Sequence, residues 1–148
     1  MENGILDKIR SVSDVNTLDD GELISLCEEI REEIVRTVNK HGGHLSSALG
    51  AVEAIVALCS VYDFSKDKIF FDVGHQSYAF KLLNIGREAF SKIRTEGGAS
   101  GFCGDDKNSA DGFTCGKFSR GGLRLRVCPR FTKRRRKHNR FCGRRFAF

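Results

Sequence analysis

At 148 residues this is one domain's worth of chain, expected to bury a moderate core and too short for a multidomain enzyme. Its net charge of +6 hides two opposite parts: residues 1–116 carry all 19 acids against 12 bases, or −7, while residues 117–148 carry 13 bases and no acid. The six cysteines form no CxxC pair and have no histidines at zinc spacing, and no apolar run reaches bilayer-spanning length, so a cysteine zinc module and a membrane span are both excluded.

Met1 to Asn16 is polar and charged, unlike a signal peptide, and together with the unpaired cysteines this predicts a reducing, cytoplasmic setting. Thr17 followed by Asp20 predicts a helix start, a cap with an acid in the first turn. Leu23, Cys27, Ile30, Ile34 and Val38 then recur at helical spacing between charged residues, and Gly42 and Gly43 end the helix. From Ser46 to Val61 the residues are small or apolar on nearly every side, with Glu53 the sole charge, so a helix buried on most faces is expected. Cys27 and Cys59, set within such apolar runs, read as buried free thiols.

Asp63 to Lys68 predicts a polar turn, Ile69 to Val73 a buried strand, and Gln76–Asn84 and Arg87–Ile93 two short helices. Alternating helix and strand argue an α/β fold. Gly97 to Gly116, rich in Gly, Ser, Asp and Asn, reads as a loop. The tail from Lys117 shows no periodicity and is expected to be irregular, with phenylalanines interspersed around a Lys133–Lys137 basic cluster.

Two histidines stand where chemistry is most readily placed. His75 lies just past the strand, in Asp72-Val73-Gly74-His75-Gln76, and ligands in open α/β sheets collect outside the carboxyl ends of strands. On spacing alone a loop histidine held by hydrogen bonds explains it equally well. His44 precedes a helix whose first turn carries Ser46 and Ser47, a setting that suits phosphate, although a plain cap made by His44 and Ser46 explains the same residues. His41, Lys81 and Arg87 read as solvated side chains.

His41-Gly42-Gly43-His44-Leu45-Ser46-Ser47, Asp72-Val73-Gly74-His75-Gln76 and Gly97-Gly98-Ala99-Ser100-Gly101-Phe102, in this order and spacing, resemble the start of the 1-deoxy-D-xylulose-5-phosphate synthase family, relatives of transketolase. The resemblance runs from Leu18 to Gly116 and implies residues 1–116 as the leading part of a thiamine-diphosphate-binding α/β domain, a truncated parallel sheet with flanking helices. It implies thiamine diphosphate and Mg2+ as cofactors, pyruvate and glyceraldehyde 3-phosphate as substrates, and a homodimer. By residue match, His44 takes the catalytic position, and His75 and Gly116 the cofactor contacts.

Past Gly116 the resemblance stops. The family's cofactor-touching histidine gives way to Lys117-Phe118-Ser119-Arg120, and its Gly-Asp-Gly magnesium motif is missing, so the chain alone is expected to be inactive. Read one base later, codons permitted by Leu123–Phe131 allow Phe-Ala-Phe-Ala-Tyr-Ala-Arg-Asp-Leu, like the family's next helix. Those of Lys133–Arg145 allow a run ending Val-Phe-Val-Val-Gly-Asp, like the strand entering the magnesium motif. A frameshifted remnant is the reading this favours for residues 117–148. The competing classes are a non-catalytic α/β module whose basic tail binds nucleic acid, and another member of the transketolase group.

Overall fold

A computed structural model describes residues 4–64, 67–72, 74–101, 114–116, 124–128 and 144–147. A short helix, α1 (Ile5–Lys8), and a 3-10 turn (Val12–Thr17) lead into the long α2 (Asp20–His41). Then come α3 (Leu45–Leu49), α4 (Val52–Val61), β1 (Lys68–Asp72), α5 (Tyr78–Phe90), β2 (Thr114–Gly116), β3 (Arg124–Cys128) and β4 (Arg144–Ala147).

α2 starts two residues later than Thr17–Asp20 suggests. Its cap is Asp19, whose Oδ1 accepts from the Glu22 amide at 2.8 Å while the Glu22 carboxylate accepts from the Asp19 amide at 3.2 Å. Thr17 instead closes the 3-10 turn, its hydroxyl donating to the Asp14 carbonyl. This reciprocal capping box satisfies two amides that a helix start otherwise leaves open. The buried stripe of α2 is Leu26, Ile30, Glu33, Ile34, Thr37 and Val38, with Leu23 and Cys27 only partly covered.

The apolar run 46–61 is two helices. At the Gly50–Ala51 junction the Gly50 and Ala51 amides close the end of α3 on the carbonyls of Ser46 and Ala48, and α4 begins at Val52. α4 buries one face through Val52, Ile55, Val56 and Cys59, whereas Glu53 and Val61 are exposed, so it is not enclosed on most sides. Glu53 meets Arg31 of α2 in an ion pair, and that Arg31 contact holds its carboxyl below the usual range. Burial pushes the Cys59 thiol far up, as expected for an inert core cysteine.

α2 is the spine, packed by α1, α3, α4 and α5. Leu26, Ile30, Ile34, Ile55, Leu82 and Leu83 are sealed from solvent in the core they share. Ile30→Ala is therefore expected to cost about 2–5 kcal/mol through lost burial and the cavity left behind. A lowered urea midpoint at unchanged slope is the check.

α5 is interrupted at Gly86, whose φ of 78° and ψ of 166° are not helical, close to where the sequence separates its two short helices. The strands run in the order β2-β1-β3-β4. Where a parallel sheet is expected, those described make a mixed one: β1 runs parallel to β2, with Asp72 opposite Gly116, and antiparallel to β3, which is antiparallel to β4. β2 falls in the expected loop, and β3 and β4 fall in the tail expected to be irregular. Within β3, Arg124, Leu125, Arg126 and Val127 alternate basic and apolar residues at strand period. The Lys133–Lys137 cluster and the segment 102–113 lie outside the described residues. No helix among the described residues is long and apolar enough to cross a membrane.

Candidate active site

The two histidines singled out by sequence meet. The rings of His44 and His75 stack with centroids 3.8 Å apart and planes inclined at 26°. Each arrives by a turn that glycine makes possible. After α2, Gly42 (φ 76°) and Gly43 (φ 144°) reverse the chain and deliver His44 as the residue capping α3. Its side chain makes no capping hydrogen bond, so the plain-cap explanation does not hold. After β1, Gly74 (φ 92°) turns the chain, and its carbonyl accepts from both the amide and the hydroxyl of Ser77, which sets His75 just ahead of α5.

Gly43 also answers a demand for space. A Cβ there would lie 3.0 Å from the Tyr78 hydroxyl and 3.4 Å from Arg94 Nη1. Tyr78 is 1 % exposed, and its hydroxyl has no hydrogen-bond partner among the described residues. Gly116 enters through the sheet: its register position beside Asp72 sets its backbone next to the end of the strand that leads to His75.

Arg94, which the sequence did not single out, comes close to Gly43, the residue before His44. It sits in the left-handed region (φ 63°), its amide donating to the Ala99 carbonyl at 2.8 Å. The side chain runs so close to Gly101 that a Cβ there would meet its Cγ at 2.7 Å. Burial first, then the neighbouring His44 and the Arg94 guanidinium, hold His75 below the ordinary histidine value of 6.5. At neutral pH its imidazole is uncharged, able to donate at one nitrogen and accept at the other.

A stability consequence follows in sign. Between the lowered value and 6.5 the unfolded chain binds the proton that the folded chain refuses, so stability rises with pH across that window and falls as pH drops through it. Urea unfolding at pH 5 to 7 is expected to show this slope, and His75→Asn to flatten it.

Three charged or titratable residues expected as solvated side chains each hold a partner instead. His41 holds the Ser91 carbonyl through Nε2 at 2.9 Å. Lys81 is 1 % exposed and donates from Nζ to the Ser100 carbonyl at 2.5 Å. Arg87 pairs with Asp7 at 2.9 Å, Glu33 at 3.4 Å and Glu29 at 3.9 Å, tying α5 to α1 and α2. In each case the partner is distant in sequence, and nothing in the residue type announces it. Among the described residues no group of three or more His, Cys, Asp or Glu side chains is arranged to hold a metal ion.

Residues 6–121 match the family model for 1-deoxy-D-xylulose-5-phosphate synthase. Over 115 residues the chain is 48 % identical to the synthase of that name from Thermus thermophilus and 52 % identical to that of an Anaeromyxobacter species. The same length is 50 % identical to the synthase of Dehalococcoides mccartyi. The match covers 78 % of this chain but 18–19 % of those relatives, so the chain spans about a fifth of their length. In class, the matched segment is the N-terminal domain of a synthase, with a histidine pair at the end of its strand. The chain belongs to the 1-deoxy-D-xylulose-5-phosphate synthase family.

Proposed function

We propose that residues 1–116 form the leading part of the thiamine-diphosphate-binding domain of a 1-deoxy-D-xylulose-5-phosphate synthase. The reaction joins the two-carbon unit left when pyruvate loses carbon dioxide to glyceraldehyde 3-phosphate. The observation that carries this reading is the stacking of His44 on His75. Two further features suit an anionic, hydrogen-bonding ligand beside that pair: the buried Tyr78 hydroxyl without a partner among the described residues, and the Arg94 guanidinium across Gly43 from it.

In this reading His75 and the backbone of Gly116 hold the cofactor, which when bound supplies the electron sink for breaking and making carbon–carbon bonds. His44 is the catalytic residue: its exposed imidazole, not engaged in capping α3, takes and returns a proton at a substrate oxygen. A neutral His75 suits hydrogen bonding to the cofactor. Magnesium would neutralise the diphosphate, and we assign it no ligand among the described residues. Pairing of two copies belongs to the same reading, and so does the parallel sheet, of which the β1–β2 pairing would be one part.

Calorimetric titration of the 148-residue chain with thiamine diphosphate and magnesium chloride is the test. Saturable heat that vanishes in His75→Ala but persists in His44→Ala is expected. Absence of heat in the unmutated chain would leave the family membership as ancestry only and remove from this chain the cofactor-holding role proposed for His75. The frameshift proposed for residues 117–148 is checked separately in the nucleotide sequence, where codons incompatible with the shifted peptides would exclude it.

A further inference from the structure

The loop 91–101 is held at both ends by side chains from other elements. At its start His41, the last residue of α2, grips the Ser91 carbonyl at 2.9 Å. A carbonyl only accepts, so the ring nitrogen facing it must carry the proton, which fixes His41 with Nε2–H. Ser91 is the cap residue at the end of α5, where helix carbonyls lack partners of their own, and a histidine is well suited to supply one. At the far end, the Lys81 ammonium holds the Ser100 carbonyl.

Between these anchors the loop is tightly closed. The Arg94 amide bonds to the Ala99 carbonyl, the Thr95 amide and hydroxyl both bond to the Lys92 carbonyl, and a Cβ on Gly98 would fall 1.9 Å from that same Lys92 oxygen. Arg94 lies at the loop's centre in the left-handed conformation, its side chain threaded between Gly43 and Gly101. His41 also adjoins Gly42 and Gly43, so one residue touches both segments that build the site.

We propose that His41 is a positioning residue: by holding the Ser91 carbonyl it fixes the loop 91–101, and with it Arg94, against the His44–His75 pair. The inference rests on reading that pair as the reactive site, but its test needs no ligand.

The readout is the titration of His75 by NMR in the full 148-residue chain carrying 13C-labelled histidine, its signal assigned by loss in His75→Ala. In the unmutated chain burial first, then His44 and Arg94, hold His75 below the ordinary histidine value. His41→Ala is expected to raise the midpoint towards 6.5, and His41→Gln, whose amide retains an N–H, to restore it. Arg94→Gln raises it too, and His41→Ala then adds nothing further, an outcome that a general loosening of the fold would not give. Should alanine unfold the chain, His41→Phe keeps the ring's bulk without a donor and carries the same expectation. The proposal is overturned if a folded His41 variant without a donor leaves the His75 midpoint in place, or if its effect adds fully to that of Arg94→Gln. Failure of cofactor binding in calorimetry would leave this result standing, and failure here would leave the calorimetry untouched.

Discussion

Replacing His44 with alanine in a synthase that carries this segment is expected to lower kcat by about 10²- to 10⁴-fold, the range that a positioned general acid or base supplies. The expectation is large because the residue is placed for little else. Its side chain does not cap α3, it is exposed, and its one described partner is the ring of His75. Steady-state kinetics with pyruvate and glyceraldehyde 3-phosphate separate this role from binding. A fall in kcat at little-changed KM marks a group that works in the transition state, whereas a rise in KM at unchanged kcat would assign His44 to ground-state binding and remove it from the chemistry. Retained helical circular dichroism and an unshifted unfolding midpoint guard against trivial loss, because truncating an exposed side chain outside the core has a small expected cost.

Gly98→Ala carries the second large expectation. The added methyl would stand 1.9 Å from the Lys92 carbonyl oxygen and 2.8 Å from the Thr95 hydroxyl. Backbone is the nearer of the two, so the clash is relieved only by opening the loop rather than by turning a side chain aside. Overpacking of this kind typically costs about 1–3 kcal/mol. Opening also breaks the Arg94–Ala99 and Thr95–Lys92 bonds, which frees Arg94 from its place between Gly43 and Gly101. Gly98→Ala should therefore lower the thermal midpoint and at the same time raise the titration midpoint of His75. A variant that melts lower with His75 unmoved would show that the loop's closure and the placing of Arg94 are separate matters.

Local residue types set His75 past a strand and His44 ahead of a helix but left a hydrogen-bonded loop histidine and a plain cap open, and it was the three-motif family resemblance that singled the two out. The turns that carry them both use glycines at positive φ, Gly42 and Gly43 before His44 and Gly74 before His75. The partners of other polar residues were less legible for a consistent reason. His41, Lys81, Arg87 and Arg94 are polar residues whose default place is solvent, and three of them are drawn in by partners 19 to 80 residues away. The partners of His41 and Lys81 are backbone carbonyls, which every residue possesses and which leave no mark in a sequence. Arg94 is fixed by a backbone turn whose only advertisement is the pair Gly97-Gly98 downstream.

Helix boundaries were read to within a few residues where a cap was correctly recognised and misread where two caps competed. Thr17 and Asp19 are both acceptable cap residues, and the reciprocal bond to Glu22 decides for Asp19. The single helix expected over 46–61 breaks because Gly50 offers little helical preference and α4 gains more by turning its own face to α2.

The four-residue α1 owes its existence to a side chain from another helix. The Glu29 carboxylate accepts from the amides of Ile5 and Leu6 at 2.8 and 2.9 Å, and Gly4 leaves room for it, since a Cβ there would lie 2.4 Å from that carboxylate. One turn of helix does not persist in isolation. Its acceptor reaches it from 23 to 24 residues along the chain and is in place only once α2 has formed, so α1 is expected to settle after α2 in folding and to let go first in unfolding. The amides of Ile5 and Leu6 are thus a gauge of early opening, exchanging with solvent deuterium while Ile30 and Ile34 still hold theirs.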